Sequence, residues 1–304
     1  MSLQKKSPVQ LRSVVSSANG KILAIVGPTA VGKTGVALEL AEKYPVEIIC
    51  ADSRTIYKGM DIGTAKPTAE ERTRVPHHGL DLILPGEKYS VADFVNYAEE
   101  KIQEIWLRDR AVLIVGGSGM YVDALLFGYK FRDEPLDSEY VDDLSQDELL
   151  ERARQLYPDH VDTIDVKNTR RLRQLVTKGP ADTSDRRHLK YDVKIIGIDP
   201  GSENLQIRIE NRTDAMLKQG FVQECKTLLG QYGNDCPALH TTGYAAVMRY
   251  IAHEIDETTM RAQMITDTKR LAKKQRTWFK RNSFIEWTIN GEEALKIAVS
   301  YLRA

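Results

Sequence analysis

Gly27-Pro28-Thr29-Ala30-Val31-Gly32-Lys33-Thr34 fits the pattern G-x-x-x-x-G-K-[ST] with no mismatch. Its flanks supply the setting that the pattern requires. Lys21-Ile22-Leu23-Ala24-Ile25-Val26 reads as a short buried strand, and residues 32–44 carry Ala, Leu, Glu and Val at helical spacing. Between strand and helix, the glycines let backbone N–H groups converge on an anion at the positive end of the helix. Lys33 adds a point charge, and the Thr34 hydroxyl is placed to bind Mg²⁺. On this reading Gly27, Thr29, Ala30, Val31, Gly32, Lys33 and Thr34 form a phosphate site. The loop alone does not specify which phosphate, although a nucleoside triphosphate is the usual occupant.

Working outward, β-like runs alternate with helical ones. Glu47-Ile48-Ile49-Cys50-Ala51, Ala111-Val112-Leu113-Ile114-Val115 and Lys194-Ile195-Ile196-Gly197-Ile198 read as strands, and residues 91–106, 204–229 and 260–281 as helices. Continuous apolar strands between amphipathic helices predict an α/β fold, a parallel sheet covered by helices on both faces. Ligands of such sheets sit at the carboxyl ends of the strands. Three polar turns fall there: the phosphate loop, Asp52-Ser53, and Gly116-Gly117-Ser118-Gly119. Residues 123–192 read as a helical insertion into a catalytic core formed by 21–122 and 193–304. The insertion opens on an acidic run, nine acidic and no basic residues over 133–151, and then turns basic through Lys167, Arg170, Arg171, Arg173, Arg186, Arg187 and Lys190. Residues 1–20 are polar and Ser-rich with no apolar core, which predicts a disordered tail and not a signal peptide.

Composition narrows the class. Of 304 residues, 42% are hydrophobic and 28% charged, as in ordinary globular proteins. Lys+Arg and Asp+Glu balance at 43 each, so net charge gives no argument for a nucleic-acid partner; its distribution does, with seven basic and no acidic residues over 269–281. Cys50, Cys225 and Cys236 are too scattered for a zinc site or a disulfide framework, which points to a reducing compartment and the cytoplasm. No apolar run approaches the ~20 residues needed to span a bilayer, so no membrane association is expected.

Several residues could carry chemistry. Asp52, at a strand end beside a phosphate loop, could handle Mg²⁺ or act as a base, or it could simply form a turn. Arg208 and Arg212 share a helix face and are either exposed or convergent on a diphosphate. His77 and His78 lack a third ligand and are read as structural. Arg270, Lys273, Lys274, Thr277 and Arg281 recur at helical spacing as a basic stripe, with Leu271 and Trp278 turned elsewhere. Such a stripe suits a phosphate backbone or merely solvates the helix.

Together these segments resemble the bacterial tRNA dimethylallyltransferases (tRNA isopentenyltransferases). The resemblance rests on the phosphate loop and on Ala51-Asp52-Ser53-Arg54-Thr55-Ile56-Tyr57-Lys58-Gly59-Met60-Asp61-Ile62-Gly63-Thr64-Ala65-Lys66-Pro67. It extends to Pro76-His77-His78 with Asp81, Tyr89-Ser90-Val91-Ala92-Asp93-Phe94, Gly116-Gly117-Ser118-Gly119-Met120-Tyr121, Thr242-Gly243-Tyr244, and the run from Lys269 through Arg276 to Phe279. It implies transfer of a dimethylallyl group from dimethylallyl diphosphate to the exocyclic N6 amine of the adenosine 3′ of the anticodon. Diphosphate is released and no ATP is consumed.

The resemblance assigns Asp52 as the base, with Ser118 and Lys33 on the leaving group; Ser118 stands where the family usually has Thr. Gly27, Thr29, Ala30, Val31, Gly32, Lys33, Thr34, Arg208 and Arg212 would hold the diphosphate, and Thr34 would hold Mg²⁺. Contacts to the tRNA anticodon stem-loop would come from Asp52, Ser53, Arg54 and Thr55, from Arg170, Arg171, Arg173 and Gln174 in the insertion, and from His240, Thr242, Gly243, Tyr244, Arg270, Lys273 and Lys274. The target base must be flipped out of its stack, and the enzyme is expected to act as a monomer. Three departures fall in these tRNA-reading segments: Thr55 replaces the usual Gln, Gln174 the last Arg of R-R-x-x-R, and His240-Thr241-Thr242-Gly243-Tyr244-Ala245-Ala246 stands for Q-x-I-G-Y-K-E. They bear on tRNA preference more than on the chemistry. The alternatives are an adenylate isopentenyltransferase, a phosphate-loop nucleoside kinase, and a nucleic-acid-binding module without catalysis. The insertion and the basic stripe favour the large acceptor.

Overall fold

β1 (Ile22–Val26) consists of five consecutive apolar residues, every one buried. Such a run is stable only where both faces of a sheet are covered. After it come α1 (Lys33–Lys43), β2 (Val46–Cys50), α2 (Ala69–Arg74), β3 (His77–His78), α3 (Val91–Leu107), β4 (Ala111–Gly116) and α4 (Gly119–Leu126). This computed structural model describes residues 20–131, 141, 143–162, 164–180 and 188–304. The tail expected over residues 1–20 lies outside the described residues but for Gly20, as do Arg186, Arg187 and, from the acidic run, Asp133, Glu134, Asp137, Glu139 and Asp142.

Two compact units divide the chain, residues 1–126 with 191–304, and residues 127–190. Within the second, α5 (Gln146–Leu156), α6 (Pro158–Val161) and α7 (Thr169–Lys178) bury Leu149, Ala153, Val161, Leu172 and Leu175 against one another. Ser145 and Glu148 form a reciprocal capping box at the start of α5.

The first unit resumes with β5 (Val193–Ile198), α8 (Ser202–Lys218), α9 (Phe221–Tyr232), a short 3₁₀ turn (Pro237–His240), α10 (Tyr244–Ile251), α11 (Glu257–Phe279), β6 (Ile285–Thr288) and α12 (Gly291–Arg303). Its sheet is wholly parallel, in the order β3-β2-β4-β1-β5-β6. One face carries Leu23, Ile25, Ile48, Leu113 and Ile196, packed with Leu40 of α1 and Ala294 and Ala298 of α12. The alternate residues Ile22, Ala24, Ile49 and Ile114 are buried as well, and α3 packs against β2 and β4. The fold is therefore the α/β parallel sheet that the apolar strands predict.

Register places the site. Val26 at the end of β1 pairs with Gly116 of β4 and Gly197 of β5, and Cys50 of β2 pairs with Val115. The loops that follow β1, β2, β4 and β5 therefore leave one edge of the sheet side by side. Beyond this edge a second apolar cluster, including Met60, Phe221, Tyr244, Val247 and Met264, supports residues 57–64.

Three elements differ from expectation. The single helix expected over 204–229 is two, α8 and α9, because Gly220 has φ 97, a left-handed turn that caps α9. β3 has only two residues, and β6 has an exposed and a half-buried residue between its buried ends, so neither carries a strand-length apolar run. The basic helix starts at Glu257, three residues before the first residue expected, where the Asp256 side chain accepts from the Thr259 N–H. Among the described residues no helix is long and apolar enough to cross a membrane.

Candidate active site

The phosphate loop turns through Gly27 (φ 140), Ala30 (φ 66) and Gly32 (φ 94) before α1 begins at Lys33. Lys33 Nζ donates to its own loop, to the carbonyls of Gly27 at 3.0 Å and Pro28 at 2.6 Å. Burial pushes the Lys33 ammonium down to about 8; Asp52 pulls it up again and Arg212 adds to the depression. Thr34 is exposed at the helix start.

Both arginines of α8 reach this loop. Arg208 Nη1 donates to the carbonyl of Val31 at 3.1 Å, and Arg212 Nη1 to Thr29 Oγ1 at 3.2 Å. Four residues apart on one helix, they approach the loop from one side. The Thr29 N–H is engaged elsewhere, donating to Gln275 Oε1 of α11 at 2.8 Å.

Asp52 follows β2. Its Oδ1 accepts the Arg54 N–H at 2.9 Å, the local turn that a strand-end aspartate favours. The glycine-rich turn after β4 is latched to it. Ser118 Oγ accepts the Ser53 N–H at 2.9 Å and donates to Ser53 Oγ at 3.2 Å, while the Ser118 N–H donates to the Ala51 carbonyl at 3.2 Å.

Two chambers open on this edge. The first is lined by Lys33, Thr34, Thr55 and His77. The second is lined by Ser53, Arg54, Ser118, Thr242, Gly243 and Tyr244, with Ile209, Met216 and Leu271 supplying apolar wall. Thr29, Asp52, Thr64, Arg212 and Gln275 line both. A carboxylate and a guanidinium thus stand where the chamber beside the phosphate loop meets a partly apolar one.

The structure separates the remaining sequence candidates. Thr55 is buried, donates its hydroxyl to the Asp52 carbonyl at 3.2 Å, and lines only the first chamber. Tyr244 is 1% exposed and donates its hydroxyl to Glu224 at 2.6 Å, so only its ring backs the second chamber. Burial, then the Glu224 charge, drives the Tyr244 phenol well above its usual range. His240 is exposed and holds the Asn234 carbonyl at 2.6 Å. Arg270, Lys273, Lys274 and Thr277 are exposed on α11, whereas Arg281, expected on the same helix, is exposed beyond its end at Phe279; Arg270 pairs with Asp267 at 3.2 Å. In the second unit, Arg170, Arg171 and Gln174 are exposed on α7, and Arg173 Nε donates to the Val141 carbonyl at 3.4 Å. His78 Nε2 meets the buried Glu47 at 2.7 Å, a packing role, whereas His77 borders the first chamber and uses Nδ1 on the Val75 carbonyl at 2.8 Å.

Sequence reasoning missed several residues. Gln275 lies inside the basic run, yet Leu271, Gln275 and Trp278 fall at i, i+4 and i+7, an inward face with one amide on it. Trp278 Nε1 donates to the buried Asp123 at 2.8 Å. Lys66 is buried against Asp61 at 2.8 Å and Asp81 at 2.6 Å, and Arg72 closes on Asp81 at 2.7 Å. This network explains why D-I-G-T-A-K-P is written with both its charges.

Comparison with known proteins agrees. Residues 55–282 match the model of the IPP transferase family, and residues 20–77 that of isopentenyl transferase. The tRNA dimethylallyltransferase of Anoxybacillus flavithermus is 36% identical over 278 residues, 88% of this chain and 89% of its own. That of Synechocystis is 36% identical over 275 residues, 88% and 90% respectively. Among solved structures, the tRNA isopentenylpyrophosphate transferase of Bacillus halodurans superposes with a TM-score of 0.71 at 31% identity, covering 93% of this chain and 97% of that one. A eukaryotic dimethylallyltransferase acting on tRNA shares the fold, with a TM-score of 0.76 at 22% identity over 93% of this chain and 79% of that one. With a family model matched over most of its length and relatives alike across nearly all of it, the chain belongs to the tRNA dimethylallyltransferases of the IPP transferase family.

Proposed function

We propose that this enzyme transfers a dimethylallyl group from dimethylallyl diphosphate to the N6 amine of the adenosine 3′ of the anticodon of tRNA. The observation that carries it is the meeting of the two chambers at Asp52 and Arg212. Diphosphate occupies the first, on the phosphate loop, Lys33 and Arg212, while Arg208 steadies the loop through the Val31 carbonyl. The flipped adenine enters the second, where Ile209, Met216 and Leu271 exclude water from the hydrocarbon.

Transfer breaks the allylic C–O bond, whose electron pair leaves with diphosphate. The N6 lone pair forms the new C–N bond, and the displaced N6 proton passes to the Asp52 carboxylate. Charge grows on the leaving oxygen as the bond breaks, so Lys33 and Arg212, set in place before reaction, favour the transition state over the bound substrate. Ser118 keeps the turns after β2 and β4 together, and with them the position of Asp52.

The residues fit Mg²⁺, which keeps several waters and takes one or two protein oxygens plus phosphate. The Thr34 hydroxyl and the Asp52 carboxylate line the same chamber, and Mg²⁺ bound there would neutralise charge on the diphosphate. Among the described residues no group of three or more His, Cys, Asp or Glu could hold a metal alone, so Mg²⁺ would take its remaining oxygens from the diphosphate and water.

For the tRNA, the exposed basic residues of α11 and of α7 would contact backbone phosphates of the anticodon arm. The substrate and the three free cysteines suit the cytoplasm. A free nucleotide acceptor is the second reading. Supplying an anticodon stem-loop and adenosine monophosphate side by side, with dimethylallyl diphosphate and Mg²⁺, tests both. Prenylated stem-loop is the expected product, and preference for the mononucleotide would reverse the assignment.

A further inference from the structure

Glu224 of α9 lines neither chamber and takes no part in the chemistry above, yet its carboxylate accepts four hydrogen bonds. Oε2 accepts the N–H groups of Asp61 at 2.9 Å and Ile62 at 2.6 Å; Oε1 accepts the Gly63 N–H at 3.1 Å and the Tyr244 hydroxyl at 2.6 Å. Three successive N–H groups on one anion form a nest, here filled by the protein's own side chain. The surroundings leave the loop one position. Gly63 has no room for a Cβ, which would lie 2.2 Å from the Phe221 ring and 2.6 Å from that of Tyr244. Beyond the nest, the Thr64 hydroxyl donates to the Met60 carbonyl at 2.5 Å and buried Lys66 returns to Asp61.

Gly63, Thr64 and Tyr244 are wall of the chamber that also holds Asp52, and Thr64 lines the phosphate chamber too. We propose that Glu224 is a positioning residue for prenyl transfer: by holding residues 61–63 and Tyr244 together it fixes the wall that orients the acceptor base toward Asp52. This rests on the prenyl-transfer reading. The chemistry requires a carboxylate. Glutamine at 224 keeps one acceptor oxygen and turns an NH₂ donor toward two of the four donors, so the conservative change breaks half the clamp and opposes it with like polarity.

The test compares wild type with Glu224→Gln, Glu224→Ala and Tyr244→Phe, using an anticodon stem-loop and dimethylallyl diphosphate. Misplacing the acceptor by about 1 Å costs on the order of 100-fold, so single-turnover transfer should fall roughly 10- to 100-fold in both Glu224 variants. Diphosphate binding should stay within about threefold, because the phosphate loop is untouched. Tyr244→Phe, which removes one donor, should be milder. The second readout is product partition. With the amine misplaced, water takes its place as nucleophile, so the yield of dimethylallyl alcohol per diphosphate released should rise; partial unfolding would instead lower both products in proportion. Amide hydrogen exchange of the wild-type enzyme supplies a measure that no variant's folding can spoil: residues 61–63 should be protected. Wild-type transfer rate and unchanged partition in Glu224→Gln, or unprotected amides at 61–63, would overturn the proposal. If the wild type itself transfers no prenyl group, the functional reading fails, and the exchange result still judges the clamp.

Discussion

Asp52 does two jobs with one side chain. Its Oδ1 shapes the turn through the Arg54 N–H, and its carboxylate borders both chambers. As the proposed base for the N6 proton, it should be costly to remove from the chemical step alone: Asp52→Ala is expected to slow single-turnover transfer at least about 100-fold, with stem-loop affinity little changed. Full activity in that variant would remove the assignment. Ser118→Ala loses the latch to Ser53 and should slow transfer more modestly. Lys33 adds a pH dependence. Its folded pKa, lowered to about 8 by burial, lies below the ordinary lysine value of 10.5. Between those values the unfolded chain binds more protons than the folded one, so the Lys33 contribution to stability rises with pH across that window. Anion binding runs the other way, because only the protonated form attracts diphosphate. Titration of the substrate-free enzyme should show diphosphate affinity weakening above about pH 8, and Lys33→Met should remove that step. A pH-independent affinity in wild type would contradict it.

At the scale of elements, the strands beside the phosphate loop were readable because each is a run of apolar residues long enough to cross the buried sheet. The loop after β1 was readable because glycine and lysine spacing states its chemistry directly. What escaped reading depended on distance. Glu224 meets residues 61–63 through backbone N–H groups that no side-chain pattern reveals, and Thr55 and Tyr244 turned inward because of packing that no local motif encodes. The break between α8 and α9 is a single left-handed glycine, so Gly220→Ala should destabilise by about 1–2 kcal/mol, read as a lower urea midpoint with an unchanged m-value. The basic face of α11 makes a separate prediction. If Arg270 and Lys273 contact phosphates, the double alanine variant should weaken stem-loop binding and flatten its salt dependence by about one unit of slope per lost contact. Transfer from the pre-bound complex should remain nearly intact, and an unchanged slope would reduce this face to solvation.

Across the whole molecule, a parallel sheet brings four loops to one edge, and the division of labour follows from their order. The loop after β1 carries Lys33, the turns after β2 and β4 hold Asp52, and α8, which follows β5, adds two arginines. Nothing in this arrangement requires a nucleoside triphosphate, although the loop is the one such nucleotides use. The purified protein with dimethylallyl diphosphate, Mg²⁺ and an anticodon stem-loop, with and without ATP, therefore tests the central claim, read by mass spectrometry of the nucleosides. The predicted result is a dimethylallyl group on N6 of the adenosine 3′ of the anticodon, one diphosphate released per transfer, and no effect of omitting ATP. Phosphate moved from ATP to a nucleoside, with the stem-loop left unmodified, would contradict it.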